Sequence, residues 1–308
     1  MRTTIEQPPN SLTAGRSTAI APRRSPRATR NRRIFTAIGL VICALYVVPM
    51  GFVLLVSLTP DGMATDGSIP SALAPGNYLR AIASTDFLLY LSNSLLISVV
   101  SVVAQVVLST SAGYALAKLP LPGKNWILLL IVALLVIPPE VVLVPLFLIM
   151  LHVPLVGGNG LLGTGGNGLL DSYTGMIIPH VVGALGIFLM RQFYAGLPDE
   201  LGDSARVDGA SEVRIFARIY TPLTIPAVAV VAVLAFQAAW NDFLWPLILI
   251  RSDSMQPLQL GLTVFYQENS TQWNLLMAAV LMMSIPVLAI FLFSQRYFRA
   301  GITAGAVK

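Results

Sequence analysis

The side chains best able to do chemistry in this chain are two carboxylates inside otherwise apolar runs. Glu140 and Asp242 are the only Asp, Glu, Lys or Arg residues in six such runs. A charge in an apolar environment is costly, and one that is kept there is typical of a transport path or a polar contact with a partner. Glu140 follows Pro138 and Pro139, which interrupt helical hydrogen bonding and expose backbone groups.

Amide and aromatic side chains lie close to Asp242 in the sequence. Gln237 and Asn241 are four residues apart, so they share one face of a helix and can present amide groups to a hydroxylated ligand. Trp240 supplies a ring for stacking, although tryptophan near a helix end also forms the interfacial aromatic belt of membrane proteins. Both interpretations of Trp240 stay open, whereas Trp245 is expected to lie in the belt.

Metal and nucleotide chemistry have little support in the sequence. One cysteine and two histidines are too few for a zinc site or a disulfide scaffold. The fragment Gly123-Lys124-Asn125 lacks the upstream glycine and the hydroxyl residue of a phosphate-binding loop. No nucleophile, base and metal ligands cluster as a membrane-integral enzyme would require, so the chain is not expected to be an enzyme.

Composition places these residues in a membrane. Of the 308 residues 56% are hydrophobic and only 11% are charged, and the mean hydropathy is +0.77. Because a helix needs about 20 apolar residues to cross the hydrocarbon core, the sequence predicts an all-α membrane protein with six transmembrane helices. The predicted spans are 34–58, 88–117, 126–151, 173–190, 222–250 and 273–294.

The distribution of basic residues predicts the orientation. Of the 19 Lys and Arg residues, all but Arg80 and Arg251 lie in the tail 1–33, the loop after the second span, the loop 191–221 or the tail 295–308. Cytoplasmic segments carry an excess of Lys and Arg, so both termini are expected to be cytoplasmic. The net charge of +5 therefore indicates membrane orientation rather than nucleic-acid binding. The tail 1–33 has little apolar content and is predicted to be disordered.

A tandem repeat lies between the third and fourth predicted spans. Residues 157–164 read Gly-Gly-Asn-Gly-Leu-Leu-Gly-Thr, and residues 165–171 read Gly-Gly-Asn-Gly-Leu-Leu-Asp. A phosphate-binding loop would need a strand before it, a helix after it and a Lys-Ser or Lys-Thr pair, and no such pair follows the repeat. The repeat is therefore predicted to be a duplicated flexible loop.

The loop 191–221 has the pattern of two short helices. Gly209 can adopt positive φ and end the first helix, and Ser211 can cap the second. In the second helix one face is expected to pack and the opposite face, with Arg214 and Arg218, to be wet. The residues of the packing face are Val213, Phe216, Ala217 and Tyr220. An amphipathic interfacial linker would show the same pattern.

The same loop carries a family resemblance. Residues 203–210 read Asp-Ser-Ala-Arg-Val-Asp-Gly-Ala, and this stretch resembles the E-A-A...G signature of binding-protein-dependent ABC importer permeases, in particular carbohydrate permeases of the maltose type. Asp203 and Ser204 replace the usual glutamate and first alanine. Further elements similar to those of the family occur before and after this loop. In chain order they are Ile137-Pro138, Pro145-Leu146-Phe147, Gly186-Ile187-Phe188-Leu189, Trp240-Asn241-Asp242-Phe243 and Pro257-Leu258-Gln259-Leu260-Gly261.

The resemblance implies a type I ABC importer permease fold in the bacterial inner membrane and a mechanism. The loop would couple the permease to a separate ATPase subunit, which binds ATP and magnesium, so this chain needs no cofactor of its own. The implied partners are a second permease, two ATPase subunits and an extracytoplasmic solute-binding protein. The implied coupling residues are Asp203, Ser204, Ala205, Val207, Asp208, Gly209, Ala210 and Phe216. The translocation path is expected to include Glu140, Gln237, Trp240, Asn241 and Asp242.

The cargo implied by the resemblance is a sugar or related polyol. The alternative is a secondary transporter driven by an ion gradient, with Glu140 as its coupling carboxylate. One carboxylate deep in a span is weak support for ion coupling, since carriers of that kind usually keep several ionisable groups inside the bilayer. Within an importer, Glu140 is expected to bond sugar hydroxyls in the path or to pair with a helix of the partner permease, and the cost of an isolated carboxylate in lipid favours the path.

Overall fold

The computed structural model describes residues 26–62, 72–266 and 271–305, and within these residues the chain is helical and contains no strand. It divides into two compact units, with the boundary between Phe52 and Val53. The first unit holds most of helix α1 (Pro26–Ser57). The apolar part of α1 agrees with the first predicted span, but residues 26–33, predicted to be disordered, are helical. A helix propagates more easily than it starts, so the helix of the apolar run continues back into this arginine-rich stretch.

The second unit contains the remaining helices and short helical turns. They are α2 (Asn77–Ala83), α3 (Phe87–Lys118), α4 (Lys124–Val136), α5 (Pro139–Leu151), α6 (Tyr173–Val181), α7 (Ala184–Ala195), α8 (Glu200–Val207), α9 (Glu212–Ile215), a π-helix (Phe216–Tyr220), α10 (Thr221–Leu223), α11 (Ile225–Trp240), α12 (Leu244–Leu249), a 3-10 helix (Asp253–Met255), α13 (Leu258–Gly261), a second 3-10 helix (Leu262–Phe265) and α14 (Trp273–Gly305).

Four segments of the described chain are helical, long and apolar enough to cross a membrane, and there are six if each of two bent helix pairs is one span. Helices α4 and α5 meet at 107°, and the chain from α9 to α10 meets α11 at 82°. The predicted third span is therefore not one straight helix. Ile137 and Pro138 each precede a proline and are extended, which ends α4 before Pro139 begins α5.

The fifth predicted span, 222–250, is not one continuous helix. Helix α11 ends at Trp240, and the short helix α12 follows after a break at residues 241–243. Thr224 forms the bend before α11, where its hydroxyl donates to the carbonyl of Thr221 at 3.0 Å. The fourth span also has a break, at Val182 and Gly183 between α6 and α7.

Helix α3 is the central helix of the second unit and packs most extensively against α7 and α11. Its inward face carries small polar residues, among them Ser98, Ser101 and Ser109, which are buried. Small side chains let helix backbones approach closely, which is the usual basis of helix association in a bilayer. At Gly113 the approach is so close that a Cβ atom would lie 2.6 Å from the Cβ of Met190.

The Gly-rich repeat is ordered by specific contacts, so the prediction of a flexible loop is wrong. Asn159 is buried, and its amide group donates to the carbonyls of Leu151 at 2.8 Å and Val153 at 3.0 Å. Its side-chain oxygen accepts from the amide of Gly166 at 2.8 Å. The two copies have different environments, because Leu169 and Leu170 of the second copy are buried and the corresponding leucines of the first copy are exposed.

Adding one methyl group at Gly113 tests the packing of α3 on α7. We expect Gly113→Ala to lower the free energy of unfolding by about 1–3 kcal/mol, since the new Cβ overlaps Met190. Gly76→Ala is the matched control, because its Cβ would meet nothing within 4 Å. Thermal unfolding in detergent measures both variants. Equal melting temperatures for the two variants would contradict the close approach.

The carboxylate of Asp171 tests how the loop is held. Asp171 has a positive φ, and it accepts hydrogen bonds from the amides of Arg251 at 3.1 Å and Ser252 at 2.9 Å and from the Ser252 hydroxyl. The Ser252 hydroxyl is the main cause of a pKa for Asp171 below its ordinary value of 3.8. The charged form of Asp171 therefore stabilises the fold fully when the pH is above the ordinary pKa. This contribution is lost as the pH falls through the lowered pKa.

We expect Asp171→Asn, which tolerates positive φ, to cost about 1 kcal/mol near pH 7 and to cost less near pH 3, where part of the charge contribution has been lost. The measurement is the difference in melting temperature between wild type and variant at the two pH values, in detergent. A difference that does not change with pH would show that the charge of Asp171 does not hold the loop.

Candidate functional site

The segment between α7 and α11 forms a helical hairpin, residues 197–223, as the sequence predicts. Helix α8 ends in a turn in which Gly209 has φ of 78°. The amide of Gly209 donates to the carbonyl of Arg206 at 3.0 Å, and that of Ala210 donates to Ala205 at 2.9 Å. These bonds satisfy the last carbonyls of α8 and reverse the chain into α9. Ser211 precedes α9 but makes no side-chain capping bond.

One side of the hairpin packs on the rest of the chain. Ala205, Ala210 and Phe216, which the resemblance implies as coupling residues, contact a cluster of buried side chains that includes Tyr114 and Tyr194. The ring centroids of Tyr114 and Phe216 lie 5.1 Å apart. These three residues therefore hold the hairpin in place rather than form its outer surface.

The other side of the hairpin is open. Ser204, Val207, Asp208 and Gly209 are exposed, and Val207 is 88% exposed. Val213 was predicted to pack, but it is 75% exposed. The π-helix that follows α9 adds a residue to the turn, which changes the face that turns inward. The exposed residues, two of them apolar valines, give the hairpin a surface that a partner can cover.

Ion pairs and hydrogen bonds hold the two helices of the hairpin together and fix the hairpin to the end of α3. Arg206 donates from Nε to Glu212 at 2.6 Å and from a terminal nitrogen to Asp203 at 2.7 Å. Lys118, at the end of α3, donates to Asp199 at 2.5 Å, and this bond lowers the pKa of the Asp199 carboxyl. Asp203 is thus paired inside this chain, although its side chain stays mostly exposed.

Glu140 lies in the first turn of α5, beside the 107° bend, and its side chain is exposed. Within the described residues no ion pair or hydrogen bond to its carboxylate is present. An ionised carboxylate facing lipid would be unfavourable, so this position indicates a contact with another polar surface.

The predicted cluster at the end of α11 is divided by the structure. Gln237 and Asn241 are exposed and lie on one face, and the Asn241 amide donates to the Gln237 carbonyl at 3.0 Å. Trp240 is only 2% exposed and stacks on Phe236, so it cannot offer its ring to a cargo. Trp245 is also buried, which makes the predicted belt position wrong. Trp245 turns inward because the short helix α12 packs on the Gly-rich loop, whereas Trp240 packs in a separate cluster with Phe236 and residues of α14.

Asp242 pairs with His180, which the sequence did not indicate as a site residue. The Nε2 atom of His180 lies 2.9 Å from a carboxylate oxygen of Asp242, and each side chain is only 12% exposed. His180 lies just before the break between α6 and α7, and Asp242 lies in the break between α11 and α12. The pair therefore joins two interrupted spans.

A cavity of about 250 Å³ lies beside His180 at the break between α6 and α7. Gln105 of α3 reaches it, and Gly183 leaves space for that side chain, since a Cβ there would overlap the amide. Val231, Leu234 and Ala238 of α11 complete the wall. A mainly apolar cavity with a few convergent polar groups is the usual form of a small-molecule site. In the described part of the chain, no three His, Cys, Asp or Glu residues group as metal ligands would.

Known proteins are similar to this chain in sequence. Residues 105–304 match the family described as binding-protein-dependent transport system inner membrane component. The arabinooligosaccharides transport system permease protein AraQ of Bacillus subtilis is 34% identical over 93% of this chain and 99% of that protein. The sn-glycerol-3-phosphate transport system permease protein UgpE of Pectobacterium atrosepticum is 31% identical over 88% of this chain and 97% of that protein.

A solved structure has the same fold. It is the crystal structure of a bacterial ABC transporter involved in the import of the acidic polysaccharide alginate. One of its chains superposes with a TM-score of 0.73 and 25% identity, which covers 90% of this chain and 100% of that chain.

The helical fold and these relatives define the class as a multi-pass membrane permease subunit of an ABC importer. The chain belongs to the binding-protein-dependent transport system inner membrane component family. The predicted family and the predicted all-α permease fold are confirmed, and so is the prediction of a transport subunit rather than an enzyme, because the relatives are permease subunits.

A double-mutant cycle tests the link between the two helix breaks. We expect His180→Ala and Asp242→Ala each to lower the free energy of unfolding, and the double variant to be less destabilised than their sum by about 1–2 kcal/mol. Thermal unfolding in detergent gives the three values, and the matched cycle of His180→Ala with Asp253→Ala, an exposed aspartate elsewhere, should be additive. Additivity in both cycles would exclude an energetic link between His180 and Asp242.

Proposed function

We propose that this chain forms half of the membrane path of an ATP-driven importer and is driven by a separate ATPase that docks on the helical hairpin. The observation that carries the proposal is the two-sided hairpin, which is braced on its own chain and leaves Val207, Asp208 and Gly209 open. Exposed apolar side chains on a charged, well-anchored element are typical of a surface that a partner buries. The ATPase would supply the bound ATP and magnesium.

The proposed cargo is a sugar or related polyol. The relatives carry arabinooligosaccharides or sn-glycerol-3-phosphate, and the similar solved transporter imports alginate, so the cargoes named for them all carry several hydroxyl groups. The amides of Gln105, Gln237 and Asn241 are suited to hydroxyl groups, because each offers both donors and an acceptor. We propose that the cavity beside His180 and the exposed face of α11 line the path, while Trp240 supports that face from behind.

We propose the rest of the assembly from the family and the charge pattern. A second, similar permease would close the path and pair with Glu140, and two ATPase subunits would bind the two hairpins. The basic segments, including both termini and the hairpin, would lie in the cytoplasm of a bacterial cell with the chain in its inner membrane. An extracytoplasmic solute-binding protein would dock at the opposite side, where the Gly-rich loop and residues 251–266 lie.

Ion-driven transport through Glu140 is the second candidate function. It is favoured by the exposed carboxylate at a helix break, which has no partner among the described residues, and opposed by the family to which the chain belongs. Uptake driven by an ion gradient in vesicles that contain this chain alone would support this candidate. Uptake that needs ATP and persists with ionophores would support the ATPase-driven importer.

A charge at the tip of the hairpin tests the docking surface. We expect Val207→Asp to lower the affinity for the ATPase subunit by about 2 kcal/mol or more, since it puts an unpaired charge into a buried contact. The measurement is the amount of nucleotide-hydrolysing subunit that co-purifies with the full chain in mild detergent. Leu162→Asp places the same charge on a similarly exposed side chain of the Gly-rich loop and should leave co-purification unchanged. Equal co-purification of both variants and wild type would contradict the docking surface.

A further inference from the structure

Helix α3 is fastened at its C-terminal end to the helical hairpin. The hydroxyl of Tyr114 donates to Glu212 of α9 at 2.9 Å. The ammonium group of Lys118 donates to the carbonyl of Leu197 at 2.6 Å and to Asp199, and the Lys118 side chain is only 4% exposed. Charged and partly buried bonds of this kind resist displacement, so the hairpin and this end of α3 are held together as one body.

The N-terminal end of α3 is fastened to a second segment, residues 252–258. The amide group of Asn93 donates to the carbonyls of Ser254 and Gln256, each at 2.9 Å. The side-chain oxygen of Asn93 accepts from the Tyr173 hydroxyl at 2.8 Å, which fixes its orientation. The next residue, Ser94, accepts from the amide of Leu258 at 2.7 Å. The Asn93 and Ser94 side chains are buried, so bulk water competes little for these contacts.

Between these two ends α3 is a stiff connection. It has 32 residues, which corresponds to about 48 Å at about 1.5 Å per residue. Among the described helices that can span a membrane, α3 is unusual in having neither a proline nor a break, whereas α1 contains Pro49, the α6–α7 span contains Pro179 and α14 contains Pro286. Prolines and breaks are where helices bend. Close packing on α7 and α11 further restricts bending.

We infer that α3 is a strut that transmits movement between the helical hairpin and segment 252–258, and that Tyr114 and Asn93 are the positioning residues at its two ends. The inference rests on the proposed function, because the ATPase is what would move the hairpin. It extends that function by joining the ATPase side to the opposite side of this subunit through one helix. Segment 252–258 would then change its position or mobility whenever the hairpin is moved by nucleotide.

Hydrogen exchange in the assembled transporter tests the strut. The probe is ATP with magnesium and vanadate, added to the complete complex in nanodiscs, and deuterium uptake is followed in peptides 199–212 and 252–258. In wild type we expect nucleotide to change uptake in both peptides. In Tyr114→Phe/Lys118→Met, which keeps the ring and the aliphatic stem, we expect the change in peptide 252–258 to fall about fivefold or more and the change in peptide 199–212 to remain.

Asn93→Leu cuts the other end of the strut and should have the same effect, so it serves if the first variant does not assemble. Matched controls are Ser111→Ala and Ser92→Ala, since both hydroxyls are exposed and bond only to carbonyls of α3 itself. These controls should respond as wild type does.

The strut would be overturned if nucleotide did not change deuterium uptake in peptide 252–258 of wild type. It would also be overturned if that change persisted in both strut variants. The absence of any response in peptide 199–212 of wild type would instead contradict the proposed docking of an ATPase.

Discussion

The close approach of α3 to α7 is the constraint on which the rest of the second unit depends. In a bilayer the hydrophobic effect does not drive helices together, so their association relies on van der Waals contact and hydrogen bonding at interfaces of small residues. Gly113, Gly186 and the serines of α3 permit that contact at the backbone. Because α7 leads directly into the helical hairpin, this packing also brings Tyr114 and Lys118 into reach of the hairpin's base.

The cavity and the buried pair of ionisable side chains lie where helices are interrupted. A break frees backbone donors and acceptors, which are tolerated at membrane depth only beside protein or a water-filled cavity. The cavity at Gly183 and the pair of His180 with Asp242 lie at such breaks. Unbroken α3 runs past them and contributes Gln105. The structure thus combines one unbroken helix with bent helices that line the cavity.

Hydropathy and proline positions were sufficient to predict the apolar helical segments, the break at Pro138 and the helical hairpin, because these follow from local chain chemistry. The directions of the bends and the burial of Trp240 were not predictable, since they depend on which distant surfaces pack together. His180 lies 62 residues from Asp242, and no spacing rule links them. The repeat shows the limit most clearly, because two nearly identical stretches have opposite environments. Leu162 is exposed and its counterpart Leu170 is buried.

Site-specific cross-linking in native membranes is the most direct test that an ATPase docks on the hairpin. The chain has one native cysteine, so Val207→Cys in a Cys43→Ser background gives a unique thiol at the exposed tip. A short bifunctional cross-linker followed by mass spectrometry identifies what lies against it. The account predicts a cross-link to a protein with a nucleotide-binding P-loop. A thiol that is labelled only by lipid-soluble reagents, or that cross-links to no nucleotide-hydrolysing protein, would contradict it.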